Sequence, residues 1–217
     1  MATKKRREPL TRERVVAAAM ALADRDGLES LSMRALAREL GIEAMSLYHH
    51  VKNREDLLDA LVDAVYSEFR TPQIGAPWRE EMEARAHSAR EVILRHPWCI
   101  TLMNNRGTPG LATVQHLDAV IGCLREGGLS LEVTAHAFAL MDAYIYGFLI
   151  QEVALPFSEE EGASEVADWM ERQLYFDTFP HIAGLARHHA LAPDYAFGNE
   201  FGWGLTAVLD AIERAAE

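Results

Sequence analysis

The sequence has few of the features that mark secreted, membrane-spanning or disulfide-linked proteins. It contains only 2 cysteines among 217 residues, and Cys99 and Cys123 are not spaced as metal ligands. No uninterrupted apolar run approaches the roughly 20 residues that span a bilayer. The basic N-terminus is not followed by the apolar segment of a signal peptide. These absences favour a cytoplasmic protein with two reduced thiols and no membrane partner.

Motifs of catalysis are absent too. The sequence has neither a glycine-rich phosphate loop nor a serine in the G-x-S-x-G context of a nucleophile elbow. We therefore expect no enzyme, no catalytic residue and no cofactor. The nine histidines do not form a metal-ligand pattern, because His188 and His189 are neighbours and would point about 100° apart on a helix. No metal site is predicted.

Charge is distributed unevenly along the chain. The formal net charge is -12, yet the first 54 residues hold 11 Lys or Arg against 7 Asp or Glu. This asymmetry is typical of a chain whose N-terminal end meets a polyanion while the remainder stays away from it. The run Lys4-Lys5-Arg6-Arg7 in residues 1–10 is either a basic arm that reaches the DNA backbone and minor groove or a solvated tail.

Apolar residues recur with helical spacing along almost the whole chain, which predicts an all-α fold. Capping residues place the early helix starts after Thr11, Ser32 and Asn53, and the stops at Gly27 and Gly41. The predicted helices lie at about 12–26, 33–40, 44–50, 54–69, 78–95, 108–127, 130–155, 163–176 and 196–215, with a partly helical stretch at 179–193. Ser158 and Glu161 have the spacing of a capping box.

Residues 32–51 meet the demands of a helix-turn-helix reader. Gly41 can take a positive φ in the tight turn between two short helices. Leu47 and Val51 can face the core and fix the second helix. Residues 43–46, 48 and 49 are then left on the outer side, where a reader needs free side chains. Pro72, with Gly75 and Pro77, interrupts the helical pattern and predicts a domain boundary between residues 71 and 72.

This N-terminal part closely resembles the TetR family of regulators. The similarity is carried by Leu31-Ser32-Met33-Arg34-Ala35-Leu36-Ala37, by the stretch from Gly41 to Arg54, and by Glu55-Asp56-Leu57-Leu58 after it. It covers about residues 11–66. The His96-Pro97-Trp98 element and the ending from Phe197 to Asp210 are similar to the tetracycline-repressor branch, less specifically. The resemblance implies an N-terminal three-helix DNA-binding domain at 11–71 and a helical ligand-binding and dimerisation domain at 72–217.

The resemblance also assigns DNA contacts, and the chemistry of the side chains agrees with it. Arg34 can bind a guanine or a phosphate, and Ala44, Met45 and Ser46 open the recognition helix. Tyr48, His50 and Arg54 suit phosphates, and His49 a base or a phosphate. The expected DNA-binding residues are Ser32, Met33, Arg34, Ala44, Met45, Ser46, Tyr48, His49, His50 and Arg54. Individually they also have plainer roles, such as Arg34 in a surface ion pair or Tyr48 over the domain core.

In the family, two helices of each subunit form a four-helix dimer interface, which implies a homodimer through helices at about 130–155 and 196–215. A mostly apolar pocket with sparse polar groups would hold a small-molecule inducer of unknown identity. Its expected contacts are Trp98, Met103, Asn104, His116, His136, Phe138, Tyr144, Phe148, Trp169 and Phe176. The alternative for each is ordinary core packing. Because the tetracycline repressor uses a histidine to bind its magnesium-linked drug, His96 and His116 remain candidates for testing.

These expectations converge on a sequence-specific DNA-binding regulator, a repressor that a small molecule releases from double-stranded operator DNA. Two alternatives keep the same fold, namely a dimeric small-molecule-binding protein that does not bind DNA, and an activator. The presence of Arg34, Tyr48 and Arg54 argues against the first of them.

Overall fold

The computed structural model describes residues 9–103, 108–155, 169, 171–173, 176–190 and 195–217. Across these residues the regular structure is helical, as the sequence predicts. The chain divides into two compact units, Met1–Leu129 and Ser130–Glu217. The basic run at residues 4–7, the predicted ligand residue Asn104 and the Ser158 capping box lie outside the described residues.

The first unit contains helices α1 to α7, and its helix starts follow local capping chemistry. The Thr11 side chain accepts a hydrogen bond from the Arg14 amide before α1, Ser32 does the same for the Ala35 amide before α2, and Asn53 for the Asp56 amide before α4. The helices are α1 (Arg12–Asp26), α2 (Met33–Leu40), α3 (Ala44–Leu47), α4 (Arg54–Glu68), α5 (Trp78–Arg95), α6 (Ile100–Met103) and α7 (Leu111–Glu126).

Two short pieces of this unit differ from the sequence prediction. The recognition helix was expected to run to His50, but α3 ends at Leu47, and residues 48–50 form turns. There the His50 and Val51 amides both donate to the Leu47 carbonyl, at 2.8 and 3.0 Å. The chain thus tightens before the extended Asn53 cap. The stretch after His96-Pro97 continues as a 3₁₀ turn at Pro97–Cys99 and then α6, which apolar spacing did not reveal.

The core of the first unit is built by the inward faces of its helices. α1 packs on α2 and α4, and α4 packs on α5 and α7. Each fully buried Leu contributes about 2 kcal/mol from apolar surface removed from water, so a set of this size outweighs any single surface contact. Buried members include Val15, Leu22, Leu31, Leu36, Leu47, Val51, Leu57, Leu61, Val65, Met82, Ile93 and Leu124.

The segment between α4 and α5 is hydrogen-bonded to α5. The Arg70 guanidinium pairs with Glu81 at 2.7 Å, and the Gln73 amide donates to the same carboxylate at 2.9 Å. The Arg70 amide donates to the Ser88 hydroxyl, and Pro72 is buried. The compact units therefore divide at 129/130, whereas the sequence pattern places a boundary at 71/72.

The second unit contains α8 (Leu131–Val153), α9 (Pro180–Leu185) followed by a π-helical turn at Ala186–Ala190, and α10 (Asn199–Ala216). α8 packs along α10. The predicted helix at 163–176 falls largely outside the described residues. Tyr144 and Phe148 of α8 meet Phe201 of α10, with ring centroids 5.7 and 5.2 Å away, and the Tyr144 hydroxyl donates to the Phe201 carbonyl at 2.7 Å.

The long helix α8 is apolar enough for its length to pass as a membrane span by composition alone, with 33% of the qualifying window buried. The helix is not an uninterrupted apolar run, because Glu132, His136 and Asp142 lie within it. A helix that packs on α10 on one side and is apolar on others needs a further protein surface or a lipid phase to cover it.

Candidate nucleic-acid interface

The recognition helix α3 is held from one side and leaves the other side open. Leu47 and Val51 are completely or almost completely buried, so they fix the helix on the core. Met45 is 72% exposed and Tyr48 45% exposed. His49 is exposed as well. The structure therefore presents an outward surface formed by the side chains that the sequence assigned to DNA.

The turn before α3 has the geometry of a helix-turn-helix. Gly41 adopts the left-handed conformation, with φ of 65°, and its amide donates to carbonyls at the end of α2. A residue with a Cβ atom is strained in this conformation. The Ile42 amide donates to the Ala37 carbonyl at 3.0 Å, which closes the turn. Two short helices thus meet across a compact, glycine-dependent connection.

The start of α2 supplies the second group of predicted contacts. The Ser32 hydroxyl oxygen accepts the Ala35 amide at 3.1 Å, so this residue caps α2 while remaining exposed. Arg34 is exposed and Met33 is half-buried. An exposed arginine in the first turn of α2 can extend toward a base edge or a phosphate.

The C-terminal end of the recognition segment, residues 44–51, is fixed by a contact that the sequence did not predict. Arg12 at the start of α1 donates to the His50 carbonyl at 2.8 Å and forms a bidentate pair with Asp56 at 2.7 and 3.0 Å. The Lys52 amide also donates to Asp56, at 2.7 Å. The hydrogen bond from Arg12 holds the pKa of the Asp56 carboxyl down at about 2. Three segments are thereby tied together at one carboxylate.

Arg54 places a cation at the edge of this surface. Arg54 is exposed at the first residue of α4, where the amide groups of the helix N-terminus also favour an anion. Ala44, Ser46 and His50 are half-buried. The arrangement combines a positively charged periphery with a small apolar tip at Ala44 and Met45, which suits phosphate contacts around a limited number of base contacts.

The predicted ligand residues of the first unit are Trp98, Met103 and His116. Trp98 is buried, and its indole nitrogen donates to the Asp24 carboxylate at 2.6 Å. Met103 is half-buried, with its sulfur 3.9 Å from that of Cys99. His116 is buried against Arg85, Tyr66 and Phe69. Each of them has a packing role here, and contact with a ligand stays a prediction.

The remaining predicted ligand residues lie in the second unit. Tyr144 and Phe148 pack between α8 and α10, where Phe148 also stacks on Phe197 at 4.8 Å. Phe176 is buried with Ala183 and Ala186. The structure leaves Phe138 half-buried and His136 and Trp169 exposed. The residues are therefore spread over several faces of this unit rather than gathered at one.

Comparison with known sequences is consistent with this geometry. Residues 15–61 match the family described as "Bacterial regulatory proteins, tetR family", and residues 71–216 match "Tetracyclin repressor-like, C-terminal domain". The chain is 32% identical over 213 residues to the HTH-type transcriptional repressor DrrR1 of Streptomyces coeruleorubidus, covering 94% of this chain and 77% of that protein. It is 31% identical to the class D tetracycline repressor protein of Escherichia coli over 147 residues, 66% of each chain.

Solved structures show the same architecture. The Streptomyces coelicolor protein ActR in complex with actinorhodin superimposes with a TM-score of 0.78 and 28% identity, covering 95% of this chain and 97% of that one. A sequence family match over more than half of the chain, a repressor more than 30% identical, and a shared fold agree with the reader built by α2 and α3. This chain therefore belongs to the TetR family of DNA-binding transcriptional regulators.

Proposed function

We propose that the protein is a repressor that binds operator DNA as a homodimer through the surface of α2 and α3, and that a small-molecule ligand releases it. The observation that carries this proposal is the α3 surface, anchored by Leu47 and Val51 and open at Met45, Tyr48 and His49. The role is non-enzymatic and cytoplasmic. The domains are those of the sequence pattern, with a reader at 11–71 preceded by a basic arm.

DNA would be held mostly through its phosphates. Tyr48, His50 and Arg54 supply donors at the rim, and the Arg34 side chain is able to bind a guanine in two places. Ala44 and Met45 offer only apolar contacts, for instance to a thymine methyl group. Ser32, Met33, Ser46 and His49 complete the proposed contact set. We expect specificity to depend on Arg34, His49 and the spacing of the two readers.

The test of DNA binding uses the DNA upstream of the gene itself. Wild-type protein should shift this fragment, and the Arg34→Ala, Tyr48→Ala double variant should bind it at least about 10-fold more weakly, since each lost contact is worth roughly 1 kcal/mol or more. Arg25→Ala is the matched control, because it removes one charge at an exposed ion pair at the end of α1. An unchanged affinity for the double variant would show that the proposed docking is wrong.

The second unit offers a surface for a second copy of the chain. On α8, residues Ala135, Ala139 and Ala143 are exposed at four-residue spacing, and Leu140 and Ile150 are exposed beside them. On α10, Trp203 is 76% exposed. Small residues in register permit close helix approach, and a continuous exposed apolar face is typical of an obligate interface. We infer that α8 and α10 pair with the same helices of a partner.

Sedimentation velocity tests this pairing. Trp203→Arg should shift the protein from dimer toward monomer at micromolar concentration, because a charge is placed at the centre of an apolar interface. Gln115→Arg places the same charge at an exposed position of α7 and should leave the dimer intact. A dimer that survives Trp203→Arg would exclude this face.

The ligand would contact the residues that the sequence identifies, namely Trp98, Met103, Asn104, His116, His136, Phe138, Tyr144, Phe148, Trp169 and Phe176. ActR has been solved with actinorhodin, and a relative is named for tetracycline, so these two compounds are the first probes. A ligand that binds the folded state raises the melting temperature, and an inducer must also weaken DNA binding. A compound that does the first without the second is a binder but not an inducer.

A further inference from the structure

Asp63 of α4 binds the first turn of α7. Its Oδ1 atom accepts the Thr113 amide at 2.7 Å and the Thr113 hydroxyl at 2.9 Å. These residues are 50 positions apart in the sequence. The residue before α7 is Gly110, which has no side chain to cap the helix. Asp63 therefore takes the place of an N-cap residue, supplied by a different helix.

The fit at this junction is close. A methyl group built on Gly110 would overlap the Asp63 carboxylate, so glycine is needed at the end of the loop for the two backbones to approach. A carboxylate at the N-terminus of a 16-residue helix also meets the positive end of the helix dipole. Sideways or axial movement of α7 relative to α4 would break both hydrogen bonds.

The same face of α4 carries the contact to the recognition segment. Asp56 lies seven residues before Asp63, which is two helical turns and about 10.5 Å along the axis. Asp56 binds the Arg12 guanidinium, and Arg12 donates to the His50 carbonyl at the end of the recognition segment. α4 is thus bound to α7 near its middle and to the recognition segment near its start.

We propose that Asp63 is a positioning residue for DNA reading: by capping α7 it fixes the setting of α4, and Asp56 transfers that setting to the recognition segment through Arg12. The inference rests on the DNA-reading role proposed above and adds a residue outside the DNA surface to it. Without the cap, α4 adopts several positions relative to α7, and only the fraction of molecules with α4 in the correct position binds DNA. The apparent dissociation constant rises in inverse proportion to that fraction.

The experiment measures affinity for a labelled duplex that wild-type protein recovers from genomic DNA fragments, at least about 15 °C below the melting temperature of each full-length variant. Asp63→Ala should bind about 10-fold more weakly, and Asp63→Asn, which keeps an acceptor oxygen, should stay within about threefold of wild type. Glu83→Ala removes an equal charge at an exposed position of α5. Loss of a negative charge by itself favours binding to the DNA polyanion, so this control should bind DNA as tightly as wild type or more tightly.

Hydrogen exchange supplies a readout that simple stabilisation of α7 would not change. Amides of residues 44–51 should exchange faster in Asp63→Ala than in wild type, and their exchange should be unchanged in Glu83→Ala. If Asp63→Ala does not fold, Thr113→Ala removes the hydroxyl bond from the α7 side and should bind DNA about threefold more weakly. Wild-type affinity in the folded Asp63→Ala variant, or in Thr113→Ala in its place, overturns the proposal. Failure of the wild-type protein to recover any DNA would instead contradict the proposed function.

Discussion

Arg85 of α5 and His116 of α7 form a buried polar pair, in which the Arg85 Nε atom donates to His116 Nε2 at 3.1 Å. Their exposed fractions are 1% and 2%. Burial first, and the Arg85 charge second, lower the pKa of His116 to about 4. Because Nε2 accepts the hydrogen bond, the proton of the neutral ring lies on Nδ1. The pair therefore holds His116 uncharged at neutral pH.

This relationship predicts how stability depends on pH. In the unfolded chain His116 has the ordinary histidine pKa of 6.5, whereas in the folded protein its pKa is about 4. As the pH is lowered, the unfolded chain therefore takes up this proton at a higher pH than the folded protein does. Between these values the unfolded state binds more protons, so the free energy of unfolding falls as pH falls. We expect a loss of about 2–3 kcal/mol from this group between pH 7 and 4.5.

Urea unfolding at several pH values and fixed protein concentration measures this effect. The range stays above pH 4.5, because Asp56, with its pKa lowered to about 2, contributes only at more acidic pH. The His116→Gln variant keeps an acceptor for Arg85 but does not titrate in this range, so its pH dependence should be shallower by the same amount. Equal slopes for both proteins would show that His116 is not buried in a neutral form.

The indole of Trp98 makes a part-buried contact with a measurable effect. Its hydrogen bond to Asp24 shares that carboxylate oxygen with Nδ1 of His96, at 2.7 Å. Trp98→Phe keeps an aromatic ring and removes the donor, so the free energy of unfolding should fall by about 1–3 kcal/mol. A double-mutant cycle with Asp24→Ala should show a coupling of about 1 kcal/mol or more. Additive effects would assign the loss to volume alone.

Much of the fold was predictable because its signals are local. Caps at Thr11, Ser32 and Asn53 sit next to the helices they begin, and the positive φ of Gly41 is a requirement of the turn itself. Apolar periodicity then identified which face of each helix is buried. The reader surface followed from the same rule, since residues on α3 that do not face the core must face outward.

The missed features depend on pairs of residues far apart in the chain. Arg12 and Asp56 are separated by 44 positions and Asp63 and Thr113 by 50, and neither pair leaves a periodic signal. Arg85 looks like an ordinary surface cation in the sequence, yet it is buried. Such contacts appear only when the helices have been packed.

The phosphate contacts of the reader predict a specific salt dependence. Each phosphate neutralised by the protein adds about 0.9 to the slope of log affinity against log salt concentration. Arg54→Gln should therefore lower that slope by about 1 for each subunit that makes the contact, and should weaken binding to related and unrelated DNA sequences alike. Fluorescence anisotropy at salt concentrations from about 50 to about 300 mM measures both the affinity and its salt dependence. A loss confined to the specific sequence would indicate a base contact instead.

Two neighbouring glycines of α10 offer a matched test of the packing between α8 and α10. A methyl group at Gly204 would overlap the Tyr144 hydroxyl, whereas one at Gly202 meets no atom of the described chain within 4 Å. Gly204→Ala must displace Tyr144 and its bond to the Phe201 carbonyl, so we expect the free energy of unfolding to fall by about 2 kcal/mol. Gly202→Ala gains the helix propensity of alanine, up to about 1 kcal/mol. Chemical unfolding at one fixed protein concentration compares them. Because both changes add the same methyl group to the same helix, an equal loss in the two variants would mean that close approach at Gly204 is not what holds these helices together.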